Sequence, residues 1–229
     1  MAMQPRREGN VIAFHAGGHA QRPDLGDLRF RRLLGETQWF ALPQAVRARF
    51  SKRLRGGATA LYAGEIVECR MSRLGHALAQ AARLIGGPLP RSRTAWLPAA
   101  VAVTEDPVSG GQHWTRIYGR ARGFPQVIHS AKRFCGPTGL EEYIGCGVGI
   151  ALRVLVERGA LHFLSDHYFI SLGRLRLRLP RWLAPGGLRV SHVDCGHGSF
   201  AFVLELRHAR FGLLIRQTAI FSDPPSERP

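Results

Sequence analysis

The chain has 229 residues, 45% of them hydrophobic and 21% charged, with a mean hydropathy of −0.09 and a formal net charge of +16. That supplies a real core, while the longest uncharged apolar run, YIGCGVGIAL at 143–152, falls well short of the roughly 18–20 residues a membrane helix needs. Cys69, Cys135, Cys146 and Cys195 form no C-x-x-C pair, which excludes a zinc knuckle and a thioredoxin-type motif; with no secretory signal, the expectation is a cytoplasmic protein with reduced thiols.

Residues 1–24 read as a basic, disordered tail, polar and without sustained periodicity. Asp27 is a candidate N-cap, and Phe30, Leu33 and Leu34 recur at helical spacing. Pro43, with Val46 and Phe50 beyond it, starts a second short helix. Residues 56–72 read as a strand or a strand pair. Residues 73–87 form a helix with a stripe of Leu74, Leu78, Ala81, Ala82 and Ile85, stopped by Gly86-Gly87. From Trp96 onward nearly everything reads as strand, with turn signals about ten residues apart, the spacing of an antiparallel meander. Residues 174–179 alternate arginine and leucine, the pattern of a strand half-buried through Leu175, Leu177 and Leu179 with Arg174, Arg176 and Arg178 toward solvent. Residues 223–229 read as a second tail.

Helices first and a long run of strands after them predict an α+β fold. The expected form is one domain over 25–222, a strongly curved antiparallel sheet packed on N-terminal helices. The sheet would be a half-barrel of helix-grip or lipocalin-like shape. Such a sheet leaves an apolar interior able to hold a small ligand.

Three stretches carry candidate chemistry. In HWTRIYGR, strand alternation puts Trp114, Arg116, Tyr118 and Arg120 on one face and His113, Thr115 and Ile117 on the other. An inward arginine must be paired or must bind an anion; Glu141 or Glu142 is the natural internal partner, and a ligand carboxylate or phosphate is the functional alternative. In SHVDCGHGSF, His192 and Asp194 share a face, Cys195 takes the other, and Gly196-His197-Gly198 makes a hairpin turn. Two convergent ligands are too few for a structural zinc site, so no metal is expected. His192 and Asp194 are instead placed on the cavity side near its mouth. In GCGVGIAL a dinucleotide loop is suggested only superficially, since the third glycine and the following helix are missing. No P-loop, nucleophile elbow or H-E-x-x-H occurs, and no cofactor is expected.

Of the 32 basic residues only Lys52 and Lys132 are lysines. Arginine richness reflects either genome composition or a partner with negative charge. Nucleic acid is disfavoured, because no helix-turn-helix or RNP-type motif occurs and no aromatic residues interleave with the arginine stripe.

Four spaced motifs resemble an uncharacterised bacterial domain of unknown function: W-x-R-x-Y/F at Trp114 and Arg116, an acidic pair before I-G at Glu141 and Glu142, R-L-P-x-W-L through Pro180 and Trp182, and H-x-x-F-G at His208, Phe211 and Gly212. The resemblance spans roughly residues 25–222. It implies a domain found alone or C-terminal to saccharopine-dehydrogenase-like NAD(P)-binding parts, and hence a separate NAD(P)-dependent dehydrogenase-like protein as a partner to consider. It brings no established activity, and no dehydrogenase half is present to carry redox chemistry. The leading functional expectation is a module binding a small apolar or amphipathic, including anionic, ligand through Trp114, Arg116, Tyr118 and His192. The alternatives are a cofactor-free isomerase or cyclase using Glu141, Glu142, His192 or Asp194 as acid and base, and a basic module docking on nucleic acid or anionic membrane.

Overall fold

The computed structural model describes residues 26–224; the expected N-terminal tail lies outside them. Two helices open the fold, α1 (Arg29–Phe40) and α2 (Gln44–Phe50). Asp27 accepts the Arg29 backbone N–H at 3.0 Å, and α1 breaks at Gly35, whose φ of 75° only glycine adopts freely. Then come β1 (Thr59–Met71), α3 (Arg73–Ala81) running into a tight turn of helix at Ala82–Ile85, and ten further strands. These are β2 (Leu97–Glu105), β3 (Gln112–Tyr118), β4 (Gln126–Arg133), β5 (Glu141–Gly145), β6 (Val148–Glu157), β7 (Ala160–Leu172), β8 (Leu175–Arg178), β9 (Gly187–Gly196), β10 (Ser199–His208) and β11 (Gly212–Ser222).

Each strand from β1 to β7 pairs antiparallel with the next, β7 continues to β9, β10 and β11, and β11 returns to β1. The expected half-barrel is therefore a closed ten-stranded barrel. Closure removes the exposed edges that an open sheet of this length would present. Ten strands also make it wider than the eight whose side chains just fill their own interior. Room is left inside.

Alternation holds around the ring. On β2, Leu97, Ala99, Val101 and Val103 face inward and are buried. Leu188, Val190 and His192 on β9 face the same interior as Leu206, Leu204 and Phe202 on β10, their cross-strand partners.

β8 departs from expectation. It branches off the distal half of β7 outside the ring, because β7 gives its proximal half, Leu161–Leu164, to β9. All four β8 residues are exposed, Leu175 and Leu177 included. Its clean alternation marks a hairpin flap rather than a wall of the core. Asp223, assigned to the C-terminal tail, is instead tied down by Arg49 at 2.7 Å.

The two ends of the barrel differ. At one, α1 and α2 push Phe30 and Phe50 against Phe163, Phe30 edge-on to both other rings and Phe50 tilted on Phe163, with Trp39, Leu42 and Val46 sealing the plug. At the other, α3 lies on β11. Its seat is Gly75, where a Cβ would stand 2.1 Å from the Leu214 carbonyl oxygen. Ser72 caps this helix by accepting the Gly75 N–H at 3.0 Å. Gly75 and Ala79 form the buried face. The sequence stripe of Leu78, Ala81, Ala82 and Ile85 turns toward open space instead.

Gly75→Ala tests that seat. Helix propensity alone would reward the change by about 1 kcal/mol. The contact with β11 is expected to reverse the sign and cost about 1–3 kcal/mol, read by urea denaturation. A stabilised variant would show that α3 is not held this closely.

Candidate ligand-binding site

The open end leads into a cavity of about 380 Å³, within the roughly 300–1,000 Å³ of small-molecule pockets. Its walls are almost wholly apolar: Leu78 and Ile85 from the α3 region, Ile144, Val148 and Ile150 from β5 and β6, and Leu188, Leu204 and Leu206 from β9 and β10. A smaller inner chamber of about 50 Å³ adjoins it, sharing Arg116, Glu142, Val190 and Leu204 as walls and adding Trp114, Tyr118, Lys132, Phe163 and Gln217. Among the described residues, Arg116, Lys132 and Glu142 are the only charged ones lining either chamber.

These three sit on adjacent strands. Alternation on β3 turns Trp114, Arg116 and Tyr118 inward, and the register places Trp114 opposite Ser130 and Lys132 opposite Glu142. The Arg116 Nη2 donates to Glu142 Oε1 at 3.2 Å and also to Ser130 Oγ. Ser130 Oγ in turn donates to Glu142 Oε1 at 2.7 Å, and Lys132 Nζ reaches Glu142 Oε2 at 3.0 Å. The Lys132 ammonium also lies 4.6 Å from the centre of the Trp114 ring, a favourable cation–π placement.

One carboxylate thus serves two cations. Burial alone would raise the Glu142 carboxyl, but the charges of Lys132 and Arg116, with hydrogen bonds from Ser130 and Lys132, outweigh it and hold the group down to about 2. Burial pushes the Lys132 ammonium down, and Glu142 works against that shift. With Lys132 protonated the cluster carries one net positive charge. The Arg116 Nε–H is buried with no hydrogen-bond partner, a donor left unspent where such donors are normally satisfied.

The sequence-predicted residues divide between this cluster and the rest of the molecule. Trp114, Arg116, Tyr118 and Glu142 converge on the inner chamber. Glu141 points out through the wall. It is fully buried beneath the β8 flap, where Arg176 donates both Nη groups to its carboxylate and Tyr143 adds a hydroxyl at 3.1 Å. Arg176 is thus not the free solvent-facing side chain expected from alternation.

His192 is not near the mouth. It is 1% exposed at the plugged end, stacked on Phe200 with centroids 4.7 Å apart and edge-on to Phe50 and Phe202. It lines neither chamber. Burial, and then the charge of Arg49, push its imidazole down to about 3, so it sits neutral in an aromatic cluster. Asp194 does not pair with it but takes Arg49 at 3.0 Å. His197 occupies the turn tip with a φ of 51°. Among the described residues no three His, Cys, Asp or Glu side chains converge as a metal site would require.

A separate polar cleft of about 570 Å³ lies at the plugged end beside Gly26, where the described chain begins, lined by Arg29, Arg32, Arg53 and Arg55 with Asp27 and Glu105. Though larger, it lacks the apolar walls of the barrel cavity.

A family model described as a domain of unknown function (DUF4166) matches residues 42–221. The chain belongs to this family. No curated protein and no solved structure matches the chain. The span matched by DUF4166 takes in α2 and every strand of the barrel. Of the spaced motif residues, Arg116 and Glu142 form the cavity floor, while Pro180 and Trp182 lie on the loop after β8 and His208, at the end of β10, makes a tilted ring contact with Phe211 in the β10–β11 turn, at the open end.

Sequence reading missed Ser130 and Lys132. Two signals point to them. Lys132 is one of two lysines in an arginine-rich chain, and β4 alternates so that Ile128, Ser130 and Lys132 share a face.

Glu142→Gln keeps the side chain's size and strands both cations. The expected cost is about 3–5 kcal/mol at pH 7, measured by urea denaturation. The unfolded chain takes up the Glu142 proton near 4.5 and the folded chain only near 2. The stabilisation is therefore complete above 4.5 and is lost as pH falls toward 2. The gap between wild type and variant should close across that window. A small gap that ignores pH would show that the charges are hydrated rather than held.

Proposed function

We propose that this protein binds a small amphipathic ligand with an anionic head, tail in the 380 Å³ cavity and head against Arg116 and Lys132. The observation that carries the reading is the composition of the floor: a buried Lys132 and a partly buried Arg116 share a single carboxylate beneath apolar walls. Apolar area supplies affinity, and a few fixed polar groups supply orientation. An entering carboxylate or phosphate would accept the unused Arg116 donor and balance the cluster's excess positive charge. Arginine's fork suits such a head bidentately. The placing of the α3 stripe fits the same reading, since Leu78, Ala81, Ala82 and Ile85 line the cavity.

The alternative of an isomerase or cyclase asks for a group that exchanges protons near neutral pH. Glu142, held near 2, favours a binding role over an acid–base role. Glu141 and Asp194 are spent on Arg176 and Arg49.

Native mass spectrometry of protein purified from its own host, at two salt concentrations, tests the proposal. The expected result is a retained anionic amphiphile that survives higher salt, because its head is buried. Lys132→Met should leave a neutral Arg116–Glu142 pair and lower affinity for a fluorescent fatty-acid probe by about 10- to 100-fold. A clean unliganded mass, together with no saturable uptake of the probe, would overturn the proposal.

A further inference from the structure

Strand direction collects one set of connections at the open end: residues 72–96 with α3, the β3–β4 loop at 119–125, the β5–β6 turn, residues 173–186 with β8, and the β10–β11 turn. These segments contain eleven arginines and not one aspartate or glutamate. The plugged end is mixed, with Asp27, Glu36, Asp106 and Asp223 among its connections. Both ends carry arginines, but only the set of connections around the cavity mouth carries them without an acidic residue.

Large exposed aromatic and leucine side chains gather there, while Val108 and Phe40 are exposed at the plugged end. Phe124 is 91% exposed, Leu84 85% and Trp182 78%, and Leu183 and Phe211 are also open. The β7–β8 hairpin prolongs the cavity wall beyond the rim. Ile170, which lines the cavity, pairs with Leu177, and Leu172 pairs with Leu175. Cross-strand partners share a face, so the three exposed leucines form an apolar lip continuous with the interior. Arg174 and Arg178 lie on the lip's other face. Exposed apolar side chains grouped in this way mark an interaction surface.

We propose that the open end docks on an anionic lipid bilayer, with the cavity mouth facing the membrane. Charge complementarity selects this occupant. Apart from Arg176, paired with Glu141, and Arg178, 4.0 Å from Asp166, these arginines have no ion-pair partner among the described residues and are drawn to an anionic leaflet. Exposed Trp and Phe side chains suit the headgroup boundary, where one end of the ring is wet and the other dry. Arginine stems cover apolar surface while their heads stay in the polar layer. No helix of the described residues is long and apolar enough to cross a membrane, so the contact is interfacial. A nucleic acid would use the charge and leave Leu84, Leu175 and Leu177 without a partner. The proposal stands apart from the ligand reading, since docking needs the rim and not the buried cluster.

The test is vesicle co-sedimentation of the full chain with phosphatidylcholine vesicles and with vesicles containing phosphatidylglycerol, at low and moderate salt. Binding is expected only with the anionic lipid, weakening as salt rises. The double variant Phe124→Asp, Trp182→Asp alters two exposed side chains outside the cavity lining. It should weaken binding at least about tenfold with an unchanged thermal midpoint and unchanged uptake of a soluble fatty-acid probe. Reversal of Arg32 and Arg53 to Glu at the plugged end should leave vesicle binding within about twofold, apart from a small long-range charge effect. Absence of anionic-vesicle binding would overturn the proposal. So would binding that ignores the Asp pair, or a dimer in solution that the same pair dissolves, which would make a second copy the occupant. Duplex DNA bound more tightly than vesicles, with no effect of the Asp pair, would overturn it in favour of nucleic acid.

Discussion

The site turns on a single carboxylate shared by two cations inside a barrel. Taking Lys132, Arg116 and Glu142 out of water costs several kcal/mol per ion even after relaxation. The mutual attraction offsets that cost only when geometry is good and remaining donors are satisfied. Glu142 meets the condition, with Lys132, Arg116 and Ser130 all directed at it. The cations do not meet it between them, since one acceptor group is divided between two donors and the Arg116 Nε–H has no partner. A cluster serving stability alone would be better replaced by apolar side chains of similar volume. Its charge imbalance and its place on the floor of an apolar cavity make sense together when a second anion completes it.

The barrel makes that arrangement possible. Three neighbouring strands bring the charges within hydrogen-bond reach because their registers align Trp114 with Ser130 and Lys132 with Glu142. Ten strands leave space that side chains do not fill. The helices then treat the ends unequally. Phe30 and Phe50 close one with aromatic contacts against Phe163, while α3 is drawn to the outer rim at Gly75 and leaves its apolar stripe over the cavity. His192 belongs to the plug and Arg116 to the floor, though both lie on inward faces of the same sheet.

What the sequence revealed followed from period-2 alternation. It put Trp114, Arg116 and Tyr118 on one inner face and Leu188, Val190 and His192 on another, and both are so placed. It marked the turns at Gly159, Gly173 and Gly196–Gly198. It did not show closure, because the β11–β1 pairing joins the two ends of the strand series and depends on long-range register rather than on local pattern. Nor did it show depth along a strand. His192 has the same parity as a mouth residue and lies instead at the opposite end. β8 alternates as cleanly as any core strand, and only its branching from β7 exposes its leucines. The acidic pair was legible as a partner for Arg116, but only strand parity at β5 decides that Glu142 points in and Glu141 out.

The measurement that bears most directly on the anion-anchor account is titration calorimetry with two ligands that share a tail and differ in head, dodecanoate and dodecanol, on wild type and on Arg116→Leu. The account predicts that the wild type prefers the carboxylate by about 10- to 100-fold and that the preference vanishes in the variant while the alcohol binds as before. Equal affinity for the two ligands, or a carboxylate preference that survives the loss of Arg116, would contradict it.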